Sequence, residues 1–150
     1  MLAAQSLNDR HPWLLRPPLG ATLIDTGAAR WWIEPSGVVC NQSYIDGAVT
    51  VDHLRAGFQA TLELTGGKRA PLAAEAGPLS STTREARDLL AGDEACAVYT
   101  AMAVVVASPV ARTIMNFFVR FSKPRLPVRV FTSADQALDW ACSYLESDRG

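Results

Sequence analysis

"AMAVVVASPVARTIMNFF", residues 101–118, decides the fold. Its first seven residues are apolar at every position, without alternation, which is the pattern of a strand covered on both faces. Ser108 then stands where a helix N-cap belongs, and Pro109 occupies the first helical position, where its missing N–H costs nothing. From there Val110, Ile114, Phe117, Phe118 and Phe121 recur at helical spacing and form a broad apolar stripe, expected to lie in the core with part of its width left over. A buried strand running straight into an amphipathic helix is half of a parallel crossover unit.

The same grammar extends in both directions. Downstream, "KPRLP" is a linker and "VRVF" a strand, after which Ser133 and Gln136 form a capping box for a last helix expected to bury Leu138, Ala141, Cys142 and Leu145. Upstream, "REARDLLAG" is a helix ending at Gly92, and "LAAEA" is a short strand. Thr50 caps a helix over "VDHLRAGFQATLEL", whose Val51, Leu54, Phe58 and Leu62 share a face, and Gly66-Gly67 stop it. "ARWWIEP" and "GVVCNQSY", parted by Pro35-Ser36-Gly37, read as an antiparallel hairpin. The predicted order is β-β-α-β-α-β-α-β-α, an α/β fold with a mixed sheet packed with helices and joined by right-handed crossovers.

Residues 1–27 have a different texture. Pro12, Pro17, Pro18, Gly20 and Gly27 exclude a regular helix, so this stretch reads as an extended arm that lays Trp13 on the domain surface or on another subunit. Residues 28–150 form the domain proper. The N-terminal stretch is neither a signal peptide nor a spanning helix, because Asn8, Asp9 and Arg10 interrupt its apolar residues. Fourteen basic and fifteen acidic residues give a net charge of -1, so no global field recruits nucleic acid or an anionic membrane. Three cysteines, Cys40, Cys96 and Cys142, show no paired spacing; they read as small apolar residues in a reducing cytoplasm, with neither a disulfide framework nor a metal site.

In their order, "STTREARDLLAG", "AMAVVVASPVARTIMNFF" and "KPRLPVRVFTSADQALDW" resemble the STAS domain superfamily, the fold of anti-sigma factor antagonists and of the cytoplasmic tails of sulfate transporters. The chain looks most like bacterial STAS-like proteins described as similar to CRAL-TRIO lipid-transfer domains. The resemblance covers residues 28–147 and implies a STAS-like fold and a binding or regulatory role. Antagonist-type STAS domains carry a phosphorylatable serine in an Asp-Ser-Gly setting at the start of the second helix. Here that region reads "EAGPLSSTTREA", with Glu75 upstream and no such triplet.

Ser80, Ser81, Thr82 and Thr83 are therefore the candidate partner or phosphate site, with Arg84 and Arg87 placed to pair with an added phosphate. Thr82, three residues before Glu85, is the expected helix cap. A nucleophile among these hydroxyls needs a neighbouring base, and the two histidines, His11 and His53, lie elsewhere in the sequence; His53 reads as a cap neighbour. No carboxylate pair, Cys-His pair or phosphate loop is present, so no catalytic residue and no cofactor is assigned. Arg112, Arg120, Lys123, Arg125 and Arg129 read as a solvated face, with an anionic partner surface or headgroup as the alternative. Adjacent strand residues face opposite ways, so only one of Trp31 and Trp32 enters a given core; with Trp13, Phe117 and Phe118 they are the interface candidates for a homodimer. The sequence thus predicts a non-catalytic STAS-like module that binds an unidentified protein partner, acts as a cytoplasmic homodimer, and neither binds nucleic acid nor inserts in a membrane. The alternative is a carrier or sensor of a small apolar or lipid-like ligand.

Overall fold

The computed structural model describes residues 10–145 of the 150-residue chain. A six-stranded mixed sheet holds strands β1 (Ile24–Asp25), β2 (Ala29–Ile33), β3 (Val39–Ser43), β5 (Ala70–Ala76), β7 (Tyr99–Val105) and β8 (Val128–Phe131), in that spatial order. The first three are antiparallel neighbours, whereas β3, β5, β7 and β8 run parallel. A second sheet of two short parallel strands joins β4 (Gly47–Val49) to β6 (Ser80–Thr82). The helices are α1 (Val51–Thr65), α2 (Arg84–Leu90), α3 (Asp93–Cys96), α4 (Pro109–Ser122) and α5 (Ala134–Cys142).

The expected strands and helices all form, and "AMAVVVA" supplies most of the interior strand β7. Local chemistry sets the boundaries. Thr50 accepts from the His53 amide while the Thr50 amide donates to His53 Nδ1, so the imidazole closes a capping box at α1. Gly66 ends that helix in the left-handed region at φ 69°. Ser108 and Ser133 cap α4 and α5 through the Ala111 and Gln136 amides. The sequence reading omits β1, β4, β6 and α3, which have two to four residues each.

Trp31 and Trp32 are both buried, on opposite faces of the sheet. The Trp32 face packs Val38, Cys40, Ala73, Val105 and Phe131 against α5 and against Leu15 of the arm. Within α5 the buried positions are Ala137 and Ala141, while Leu145 lies past the helix end and is exposed, contrary to the sequence expectation. Burial of Cys40 pushes its thiol pKa far up, as fits an inert core residue.

The arm is fastened to its own domain by a buried carboxylate. Glu75, 2 % exposed, accepts from the backbone amides of Leu14 at 3.0 Å and Leu15 at 2.8 Å, and His11 Nε2 lies 3.3 Å away. Gln42 Nε2 donates to the Leu15 carbonyl at 2.6 Å. A carboxylate held by several donors tolerates burial that would otherwise be prohibitive. Trp13 sits within reach of the Arg30 guanidinium, 5.8 Å from the ring centroid, and so lies on the domain's own surface. Residues 1–9 of the arm and the last residues, 146–150, lie outside the described residues.

On the other face, Trp31 packs so closely on α1 that a Cβ at Gly57 would stand 2.3 Å from its Cζ2 atom. Gly57→Ala improves helix propensity by ~1 kcal/mol, but the clash with a buried indole outweighs that gain. The variant is expected to be net destabilised, by about 1–3 kcal/mol in urea denaturation; unchanged or raised stability would contradict this packing.

Candidate functional site

The two sheet faces are closed unequally. Over the Trp31 face, α1 seats Phe58 and Ala60, and α2 seats Ala86. Helix α4 seats nothing: none of its residues is buried. Val110, Ile114, Phe117, Phe118 and Phe121 are all exposed, from 44 % at Phe118 to 78 % at Phe121. Most of the stripe therefore faces outward, with Phe118 at its inner edge, and half-buried Ala111, Met115 and Val119, four residues apart, mark the helix's inner side. Three residues of modest size make a narrow contact, and the helix stands off the sheet.

Between them lies a chamber of about 460 Å³. Trp31, Asn41, Leu72, Ala74, Met102, Val104 and Val128 form its sheet wall, Leu54 and Phe58 of α1 one side, and Met115, Phe118 and Val119 of α4 its cover. Alanine at position 74 is one cause of the space, since a larger side chain there would project into it. The lining is predominantly apolar, and the size falls in the range of pockets that enclose small organic ligands.

Several polar groups around the chamber have partners. Thr61 Oγ1 donates to the Gly57 carbonyl at 2.9 Å, so the Tyr99 hydroxyl, 2.8 Å from that oxygen, donates to it. Burial pushes the Tyr99 phenol pKa well up. Arg87 Nη1 donates to the Thr82 carbonyl at 2.6 Å. Two atoms differ: Trp31 Nε1 and Asn41 Oδ1 are buried and have no hydrogen-bond partner among the described residues.

The hydroxyl cluster lies at the rim of this chamber. Ser80, Ser81, Thr82 and Arg87 line it, and the Ser80 hydroxyl reaches the carbonyls of Ile45 at 2.6 Å and Ser43 at 3.1 Å, tying β6 to the turn after β3. Ser81 is exposed. The cap of α2 is Thr83, whose Oγ1 accepts from the Ala86 amide at 3.1 Å, and not Thr82. Pairing of Thr82 with Val49 in the small sheet draws that residue out of the cap position. Arg84 is exposed on the first turn. Of the interface candidates, Trp31 and Trp32 are buried within the chain and cannot present an aromatic surface; Phe117 and Phe118 are exposed, with ring centroids 6.2 Å apart. The cationic residues Arg112, Arg120, Lys123, Arg125 and Arg129 are exposed as expected, with Arg125 paired to Asp93 and Arg129 over the Phe131 ring.

Sequence reasoning did not single out Asn41, although a usable signal exists: an amide directly after the apolar run "VVC", on a strand with two covered faces. Glu75 carries a similar signal, a carboxylate ending an alanine-rich strand.

The strand order, the parallel β3-β5-β7-β8 core and the helix crossovers define a single α/β domain built on a mixed sheet. The chain belongs to the family described as Domain of unknown function (DUF7793), whose model matches residues 31–145. It is similar in fold to the crystal structure of an uncharacterized DUF3478-family protein with a SpoIIAA-like fold from Shewanella loihica PV-4. The TM-score is 0.48 and the identity 12 %, over 82 % of this chain and 93 % of that one. No curated protein matches the sequence. Among the described residues no helix is long and apolar enough to cross a membrane.

The cap assignment is directly testable. Thr83→Ala is expected to lower stability by about 1 kcal/mol, and Thr82→Ala by clearly less, in paired thermal or urea melts; the reverse order would restore the cap to Thr82.

Proposed function

We propose that this STAS-like domain is a non-catalytic binding module that carries or senses a small, largely apolar ligand in the chamber beneath α4. The observation that supports this most is the combination of an apolar cavity of about 460 Å³ with a covering helix that buries none of its own residues. Apolar lining alone is common in cores, but an apolar recess of this size that opens to water on one side keeps apolar surface wetted unless something covers it. A helix with few seated side chains is also the element that can lift at low cost to admit a ligand.

A second reading, a loop modified by phosphate and read by a partner protein, is supported by exposed Ser81 at the rim of the same chamber. It is compatible with the first, since a ligand under α4 and a phosphate on β6 would act on the same rim.

The test uses N-phenyl-1-naphthylamine, an uncharged apolar dye whose fluorescence rises on leaving water. Saturable binding at one site per chain is expected, and Ala74→Phe, which projects a ring into the chamber, is expected to weaken it by about tenfold or more with no loss of thermal stability. Because the outer face of α4 also offers aromatic surface, the variant is what locates the site. Absence of saturable binding, or wild-type affinity in a folded Ala74→Phe protein, would overturn the proposal.

A further inference from the structure

The outer face of α4 belongs to neither core, and it is charged as well as apolar. Val110, Ile114, Phe117 and Phe121 recur every three or four residues and make one exposed line about 16 Å long. Phe117 and Phe121 stack with ring centroids 6.3 Å apart, so the C-terminal half of that line is a continuous aromatic ridge. Arg112, Asn116, Arg120 and Lys123 follow a second exposed line beside it. Arg112, Arg120 and Lys123 make no ion pair among the described residues. No aspartate or glutamate occurs between Glu94 and Asp135, a stretch holding five of the fourteen basic residues in a chain whose net charge is -1. Unopposed positive charge is therefore concentrated in the segment that also leaves its aromatic residues in water, and a patch of that kind marks a surface that meets something.

We infer that α4 docks the protein on the surface of an anionic membrane, with Val110, Ile114, Phe117 and Phe121 entering the boundary between head groups and acyl chains and Arg112, Arg120 and Lys123 meeting lipid phosphates. Docking of this kind does not depend on the chamber holding a ligand. At 14 residues the helix is too short to span a bilayer, for which about 20 are needed, so it lies in the plane of the surface. A side bearing phenylalanines next to a cationic side without acids is the pattern of helices that bind there. Charge decides between the occupants. A second copy would set a like-charged α4 against this one, with no carboxylate on either helix to offset it. A specific protein surface would draw on hydrogen bonds, and the four side chains of the apolar line offer none. A lipid surface asks only for apolar depth and for negative charge spread along it, and α4 supplies the complement of both. Phe118, shared between the stripe and the chamber lining, then brings the edge of the chamber close to the lipid boundary.

The experiment is co-sedimentation of the full chain with vesicles of phosphatidylcholine alone and of phosphatidylcholine containing about 30 % phosphatidylglycerol. The anionic vesicles are expected to bind at least about tenfold more tightly than the neutral ones, an advantage that shrinks as salt rises. Phe117→Ser/Phe121→Ser is expected to weaken that binding by about tenfold or more; both side chains are exposed, so the melting temperature should not fall. Arg112→Gln/Arg120→Gln is expected to remove most of the preference for anionic vesicles while leaving binding to neutral ones unchanged. Absence of binding to anionic vesicles, equal binding to both kinds, or full binding by the folded serine variant overturns the inference. A wild type that sediments as a dimer, with a monomeric serine variant and no vesicle binding, overturns it too and assigns the stripe to a second copy. Dye binding in the chamber, and its loss in Ala74→Phe, stand or fall separately.

Discussion

The alternation of the β-pleat at Trp31 and Trp32 sends two of the largest side chains in the protein to opposite faces of one sheet, and each face must find a cover for its indole. Trp32 is closed over by α5 and by the arm, with Leu15 completing the layer and Glu75 holding the Leu14 and Leu15 amides that anchor it. Trp31 is wedged on Gly57 of α1, and its ring is fixed in place by that contact. The first solution yields a sealed core. The second leaves the far side of the same face to α4, which is tied at both ends by the crossover from β7 to β8 but turns only half-buried Ala111, Met115 and Val119 and one edge of Phe118 toward the sheet.

That inequality is what connects packing to function. Apolar burial stabilises in proportion to area removed from water, and the exposed stripe of α4 forgoes most of what its phenylalanines could contribute. The helix is maintained by Ser108 and Pro109 at its start and by chain connectivity, with little tertiary packing. An element of this kind opens at low free energy, whereas the parallel strands beneath it do not. The chamber thus has one densely packed sheet wall and one sparsely seated cover, with β6 at its rim.

Much of the fold was legible because its signals are local. "AMAVVVA" has no polar face, so it could only be a strand inside a sheet; Thr50, Ser108 and Ser133 carry their capping chemistry in the adjoining residues; Gly66-Gly67 stop a helix whatever lies around it. The missed elements, such as β4 and β6, are three residues long and exist because they pair with each other, a constraint no window of sequence contains. That pairing also moved the α2 cap from Thr82 to Thr83. The α4 stripe, read as mostly core with some of its width exposed, is exposed at all five positions for a related reason: five apolar residues on a helix normally face the core, and the three-dimensional path of the crossover turns most of them out. The arm was recognised by its prolines, but its attachment to Glu75 joins residues some 60 positions apart and left no periodic trace. As for the site, the hydroxyl cluster was found, while the chamber it borders depends on an empty volume between elements that composition cannot reveal.

The central claim is that α4 is a loosely seated cover over a ligand chamber. Amide hydrogen exchange followed by mass spectrometry, on the protein alone and with saturating N-phenyl-1-naphthylamine, tests it most directly. The account predicts that α4 amides exchange at least about tenfold faster than those of α1 in the protein alone, and that the ligand slows α4 while leaving α5 unchanged. Equal protection of α4 and α1 without ligand, or no change in α4 with it, would contradict the claim.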